Sequence, residues 1–255
     1  MQIWKITLIG LLAGLVSTAL GSLIPTFLGD RAKKHISMML GIASGVMVSL
    51  VFADLMPEAI HAGSIAYPDS KLGMVVAFLG FIVGALSMTL IDKALPHQHF
   101  LNFEPGADPK LYKTGVLTAL GIAIHNLPEG LAIGAGFAHS EELGITLFIA
   151  IALHNLPEGL ALGAPLVGCG LCRRKVISIG AMAGLPMAVG AFLGAAFGSI
   201  SHAAVSLSLG MAAGAMMYIV ADELIPESQS SAVGHSGTYG TVIGSVAGLL
   251  LIYFI

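Results

Sequence analysis

The sequence predicts an all-α membrane protein with eight transmembrane helices in a 3+2+3 arrangement, in which spans 1–3 and spans 6–8 form an inverted repeat. The first observation is composition: 56% of the 255 residues are hydrophobic and only 10% are charged, as in polytopic membrane proteins. The others are a six-residue motif that occurs twice and a fainter repeat around it. We expect a single transmembrane domain over residues 1–255.

Eight apolar segments are long enough for a membrane helix, which takes about 20 residues. We predict spans at residues 5–28, 36–60, 73–95, 114–137, 143–167, 174–200, 203–227 and 238–255. The apolar run of the first is too long for the core of a signal peptide, so we interpret it as a span. The expected surroundings are a lipid bilayer. Nucleic acid is not expected as a partner, because no soluble domain or basic tail is predicted.

Basic residues predict the orientation of the spans. Nine of the eleven lysines and arginines fall on one side of the predicted membrane: Arg31, Lys33, Lys34, Lys93, Lys110, Lys113, Arg173, Arg174 and Lys175. Loops rich in lysine and arginine face the cytoplasm. We therefore expect a multi-pass protein of the cell membrane (inner or plasma membrane) with both termini outside the cytoplasm.

A faint repeat relates the first and last three spans. Five residue pairs share an offset of 169, namely Gly45/Gly214, Met47/Met216, Asp54/Glu223, Pro57/Pro226 and Glu58/Glu227. Ala13-Gly14-Leu15 in span 1 likewise matches Ala183-Gly184-Leu185 in span 6. Because each copy has an odd number of spans and two spans separate them, the copies are predicted to be inverted. That architecture is typical of transporters with a midplane site.

The motif His-Asn-Leu-Pro-Glu-Gly begins at His125 and again at His154, 29 residues later. If both copies lie at the bilayer midplane on antiparallel helices, about 20 residues run out and back and roughly 9 are left for a turn. Residues 136–144 are predicted to be that turn. The proline of each copy permits a local kink. The spacing therefore predicts two identical polar groups face to face inside the membrane.

Within each copy the histidine and glutamate are four residues apart and share a helix face. The asparagine lies about 100° around the helix and can serve a second site that shares the same glutamate. These residues are His125, Asn126 and Glu129 in the first copy and His154, Asn155 and Glu158 in the second. The alternative is that they only hold the bundle together. Ionisable groups inside a span more often mark a pathway or a site.

The residue types favour a divalent transition metal. No lysine or arginine lies in the middle of any span, so a buried carboxylate there must bind a proton or a cation. Imidazole, carboxylate and amide ligands, with Met47 or Met216 as a candidate sulfur ligand, suit Zn²⁺ better than Ca²⁺ or Mg²⁺. These residue types therefore favour a borderline divalent transition metal, with Zn²⁺, Fe²⁺, Ni²⁺ and Cu²⁺ as candidates, and no cofactor is expected. Metal binding releases protons, so pH dependence is expected.

Acidic groups are predicted at both ends of the pathway. The outer group is Asp54, Glu58 and His61, and the cytoplasmic group is Asp222, Glu223 and Glu227. Ordinary interfacial solvation is the alternative explanation for both. Two interpretations also remain for the Cys169/Cys172 pair and for the loop with His97 and His99. They are ordinary surface residues or weak metal-handling groups.

Two HNLPEG helices, eight spans, external termini and a histidine-bearing loop after span 3 together resemble the ZIP family of zinc/iron permease-like transporters. Two intact copies are most similar to its bacterial GufA/ZupT-like branch. The resemblance implies uptake of Zn²⁺, and often of Fe²⁺ and other divalent metals, into the cytoplasm at a binuclear centre. It assigns Glu129, His154 and Glu158 to one metal, with His125 adjacent, and Asn126, Glu129, Asn155 and Glu158 to the other.

The sequence departs from the family pattern in span 6. Members often place another carboxylate there, and here the corresponding residue is Met187. A thioether is a softer, neutral ligand, so the second metal position differs from that of such members. Family members are often dimeric, which makes a homodimer a candidate assembly.

Three other classes of protein compete with this interpretation. A metal/proton antiporter that exports metal would differ only in direction and coupling. An intramembrane metalloenzyme would be expected to contain an HExxH motif, which the sequence lacks. A structural or receptor membrane protein would show no metal flux.

Overall fold

A computed structural model of the protein describes residues 2–28, 31–68, 70–94, 108–197, 201–230, 232 and 234–254. Within these ranges it does not describe the side chains of residues 28, 31–34, 94, 139, 143, 154 and 197. His97 and His99 lie outside the described residues.

All the regular elements in the described ranges are helical, and they form eight segments long and apolar enough to cross a membrane. The predicted fold class, an all-α protein with eight spans, is confirmed. Spans one to eight are Ile3–Phe27, His35–Ala66, Leu72–Lys93, Pro109–Ala138, Gly144–Gly168, Arg173–Ala196, His202–Ser230 and Ser236–Phe254. The chain is a multi-pass membrane protein.

Four spans are single α-helices and four are interrupted. Spans three, four, five and eight are the helices Leu72–Ala94, Pro109–His139, Glu141–Gly168 and Ser236–Phe254. Span one contains the α-helices Ile3–Leu11 and Ser17–Leu23, and span two contains Arg31–Leu50 and Met56–Ala66. Span six contains Arg173–Gly184 and Pro186–Phe197, and span seven contains His202–Ile219 and Ile225–Ser230. Wide π-helical turns at Leu12–Val16, Val51–Leu55 and Val220–Leu224 interrupt spans one, two and seven, and a 3-10 helix, Ile24–Leu28, ends span one.

Prolines explain three of the interruptions. Pro57 and Pro226 follow two of the π-helical turns, and Pro186 opens the second helix of span six. Proline cannot donate to the carbonyl four residues earlier and crowds it, so the helix widens or breaks just before it. The turns at 51–55 and 220–224 are 169 residues apart (220 − 51), the same offset as the sequence repeat. This recurrence supports the predicted repeat.

Spans four and five pack on each other and on spans one, two, six and seven. Span four packs on spans six and seven, and span five packs on spans one and two. Span three packs on span seven, and span eight packs on span two. The motif glycines allow the close approaches, because Gly130 faces the main chain of Met187 and Gly159 faces the main chain of Thr18.

The predicted turn at 136–144 is wrong in extent. The helix of span four continues to His139 and that of span five begins at Glu141, so only Ser140 separates them. Ser140 N donates to Gly136 O at 2.9 Å, and Gly144 N donates to Ser140 O at 3.1 Å. Gly136 and Gly144 lie close together, and their lack of side chains lets both helices extend into the predicted turn.

Candidate metal centre

Three ionisable side chains of spans four and five meet in the interior. His125, Glu129 and Glu158 are at most 2% exposed, and one ligand atom of each lies within 4.8 Å of the others. His125 Nε2 and Glu158 Oε1 are 2.9 Å apart. One nitrogen and two carboxylate oxygens at this separation form part of the ligand set that Zn²⁺ uses in proteins.

Span four orients the ring of His125. Its Nδ1 atom lies 3.0 Å from the main-chain oxygen of Gly121, one turn earlier. When Nδ1 carries the proton, it donates to this oxygen and Nε2 presents its lone pair towards the centre. A backbone carbonyl that fixes the ring in this way is a common partner of metal-binding histidines.

The two motif asparagines are held by opposite outer spans. Asn126 Nδ2 donates to the main-chain oxygen of Ala183 at 2.9 Å, and Asn155 Nδ2 donates to that of Ala13 at 3.0 Å. Both side chains are fully buried, and neither Oδ1 atom accepts a hydrogen bond from the described residues. An amide that has used its donor and kept its acceptor offers an oxygen to a cation.

Helix interruptions place the two carbonyl oxygens that hold the asparagines. Ala13 lies inside the π-helical turn of span one, and Ala183 lies next to the end of the first helix of span six. These alanines also occupy matching positions in the sequence repeat. Each motif asparagine therefore binds a carbonyl from one of two matching Ala-Gly-Leu segments in the sequence.

Met187 lies beside the second motif copy. It is fully buried, and its Sδ atom is 3.8 Å from Asn155 Nδ2. A thioether is a weak hydrogen-bond acceptor and a soft metal ligand. This contact places Met187 next to the candidate centre.

The remaining predicted ligands are the methionines Met47 and Met216 and the histidine His154. Met47 is buried in an apolar cluster that also contains Met216. The backbone of His154 continues the helix of span five, but its side chain is outside the described set, so its role as a ligand stays a prediction.

The predicted mouth residues differ between the two ends. Asp54 is half-buried in the π-helical turn of span two, whereas Glu58 and His61 are exposed and 3.8 Å apart. Asp222 is exposed, Glu223 is half-buried and Glu227 is buried.

Lysine partners of the second group were missed by the sequence analysis. Lys113 lies 3.9 Å from Glu223 and Lys110 lies 2.6 Å from Glu227. The signal was the basic residues that precede span four, which were used only for orientation. The carbonyls of Ala13 and Ala183 were missed too, although their repeat match pointed to these positions.

Comparison with known proteins agrees over most of the chain. Residues 107–255 match the family model described as ZIP Zinc transporter. The chain is 33% identical over 251 residues to the zinc transporter ZupT of Stenotrophomonas maltophilia, covering 95% of this chain and 93% of that protein. It is 36% identical over 253 residues to the zinc transporter ZupT of Xanthomonas axonopodis pv. citri, covering 95% and 92%.

Proposed function

Because the chain belongs to the ZIP family of zinc transporters, we propose that it carries Zn²⁺ across the membrane into the cytoplasm through the buried centre between spans four and five. The family is one of transporters, so the metalloenzyme alternative is removed.

The observation that carries this proposal is the buried group of His125, Glu129 and Glu158. From Thr114 to Cys172 the sequence contains no lysine or arginine, so the counter-charge of these carboxylates must come from elsewhere. Burying two carboxylates side by side in a membrane interior is costly, and a divalent cation between them offsets that cost. The nitrogen and oxygen ligands favour a borderline metal such as Zn²⁺.

We propose a centre with two metal positions. Glu129, His154 and Glu158, with His125 adjacent, would hold the first ion. The oxygens of Asn126 and Asn155, with the same two glutamates, would hold the second. The free amide acceptors support this division, and Met187 beside Asn155 would add a soft ligand to the second position.

The finer properties follow from the same interpretation. The softer members of the series, Fe²⁺, Co²⁺ and Cd²⁺, together with Mn²⁺, are proposed as further substrates, because the ligand types do not exclude them. We place the chain in the cell membrane as one transport domain, with both termini outside, on the distribution of its basic residues. A homodimer is the proposed assembly.

The test is zinc uptake into proteoliposomes that contain the purified full chain and an internal zinc indicator. A zinc-dependent signal is expected, and it should vanish in the double variant Glu129→Ala/Glu158→Ala reconstituted at the same amount. An antiporter would behave differently. It would move zinc only when a proton gradient is imposed, in the direction opposite to the protons and away from the side that bears the basic loops. A signal of equal size in the double variant would overturn the site.

A further inference from the structure

One face of span four carries a continuous row of polar groups. Residues spaced by three or four share a helix face, and the row consists of Lys110, Thr114, Thr118, Gly121, His125 and Glu129. Thr118 Oγ1 donates to Thr114 O at 2.8 Å, and both threonine side chains are buried. At 1.5 Å per residue, the row extends about 28 Å from the start of the helix to the metal centre. The row connects the start of the helix with the metal centre along one helix face, and Ile219 and Met88 pack beside Gly121.

Two lysines at the start of this row contact three carboxylates. Lys113 Nζ lies 2.7 Å from Asp92 Oδ1 and 3.9 Å from Glu223 Oε1, and Lys110 Nζ lies 2.6 Å from Glu227 Oε2. The lysines belong to span four, Asp92 to span three and the glutamates to span seven. We call these five residues the lysine clasp.

Further hydrogen bonds fix the carboxylates in place. Thr114 Oγ1 donates to Glu223 Oε2 at 2.8 Å, and Tyr218 OH donates to Asp92 Oδ2 at 3.3 Å. The threonine belongs to the polar row, so the row ends directly on a clasp carboxylate. An ion that leaves the metal centre along this face therefore reaches Glu223.

Burial differs between the two sides of the clasp. The side chains of Asp92, Glu223 and Glu227 are 16%, 11% and 6% exposed, whereas those of Lys113 and Lys110 are 27% and 67% exposed. Carboxylates held away from water need a counter-charge, and a long lysine side chain can withdraw to water without one.

We propose that Lys110 and Lys113 are tethered counter-cations that close this end of the metal route. This proposal rests on the proposed function. The lysines occupy the carboxylates that a departing metal ion reaches, and the ion pairs hold span four against spans three and seven. A divalent ion carries twice the charge of an ammonium group and displaces it from Glu223 and Asp92. The clasp then opens, and it closes again when the ion has left.

The test measures access of a water-soluble thiol reagent to Thr118→Cys in the full chain, purified in detergent, with Cys169→Ser and Cys172→Ser removing native thiols. Thr118 lies on the polar row between the clasp and the centre, so we expect slow labelling with the lysines intact. Lys110→Met/Lys113→Met should speed labelling at least about tenfold, because it leaves the largely buried carboxylates without their lysines and frees this end of span four. Lys93→Met is the matched control, because it removes an exposed lysine beside Asp92 and should not change the rate.

A second variant approaches the clasp from the acidic side. Asp92→Asn/Glu223→Gln/Glu227→Gln also breaks all three ion pairs. It removes buried charge rather than leaving it unpaired, so it cannot fail to fold for the reason that the lysine variant could. It should speed labelling similarly, and Lys110→Arg/Lys113→Arg should keep it slow. Equal rates in the Lys110→Met/Lys113→Met, acidic-side and Lys93→Met variants, or fast labelling with the clasp intact, would overturn the proposal.

The labelling needs no zinc flux. Zinc uptake by the unaltered chain tests the proposed function, and thiol access tests the clasp, so failure of one is distinguishable from failure of the other.

Discussion

Asn155 donates a hydrogen bond of 3.0 Å from its amide nitrogen to the main-chain oxygen of Ala13, joining span five to the π-helical turn of span one. Because this bond uses the donor side of the amide, the acceptor oxygen is left for the interior of the protein. Asn126 has the same arrangement with Ala183. The motif asparagines therefore join helices and keep an acceptor oxygen that is available to the proposed second metal position.

These two roles of Asn155 can be separated. Asn155→Leu removes donor and oxygen, so bound zinc per chain should fall and thermal stability should drop by about 1 kcal/mol, the usual net value of a hydrogen bond. Asn155→Asp loses the donor at neutral pH and keeps an oxygen ligand, so zinc should still bind although stability falls. Bound metal and the thermal unfolding midpoint measure the two effects. Full zinc binding in Asn155→Leu would show that the amide is not a ligand.

Each motif glutamate should be required for transport. Glu129→Ala and Glu158→Ala should each abolish zinc uptake, because each carboxylate is proposed to contact both metal positions. Glu141→Ala is the control, since this glutamate is exposed at the first residue of the helix of span five. Normal uptake in either motif variant at matched protein level would contradict shared ligation.

Met187→Glu should strengthen the second metal position. A carboxylate there would replace a neutral thioether beside Asn155 and add a harder, charged ligand. More zinc should remain bound per chain in equilibrium dialysis. Met187→Leu, which keeps the volume and loses the sulfur, is the control. Unchanged occupancy in Met187→Glu would mean that this side chain does not face the ions.

The native cysteine Cys172 can report orientation. It is exposed in the connection between spans five and six, whereas Cys169 is buried. In cells that express the unaltered chain, an impermeant thiol reagent should not label Cys172 while the cells are intact. It should label Cys172 once the membrane is made permeable. Cys172→Ser/Ser140→Cys should reverse this pattern, because Ser140 lies at the opposite end of span five. Labelling of Cys172 from outside would invert the proposed topology.

Gly184 should tolerate no side chain. A Cβ atom at this position would run into the main chain of Gly14 in span one. Overpacking of this kind costs about 1–3 kcal/mol, so Gly184→Ala should lower the thermal unfolding midpoint. Val189→Ala, in the same span but 54% exposed, should change it little. Equal midpoints in the two variants would contradict the tight contact.

The sequence was enough to predict the spans and the meeting of the motif copies. Apolar runs of membrane length are local signals, and the four-residue spacing of His125 and Glu129 places them on one face without any knowledge of packing. The 29-residue separation then brought Glu158 opposite them. The turn predicted at residues 136–144 was too long, because we assumed that each helix is only as long as a membrane crossing requires, whereas both helices are longer.

Contacts between distant spans were not predictable in the same way. The hydrogen bond from Asn126 to Ala183 and the ion pair between Lys110 and Glu227 depend on how one helix is shifted and rotated against another. No local periodicity specifies that register. The asparagines bond to the main-chain oxygens of Ala13 and Ala183, and a residue type does not reveal whether its main-chain oxygen will accept such a bond.

The single-residue connection at Ser140 has a mechanical consequence. Two long helices joined by one extended residue and in contact along their lengths cannot slide or separate without breaking their packing. Any displacement of span four would therefore move span five as well. The hydrogen bonds to Ala13 and Ala183 couple spans one and six to this pair of helices. The candidate ligands of spans four and five are thus held in one connected unit, and pulling them apart would break the packing and hydrogen bonds of four spans.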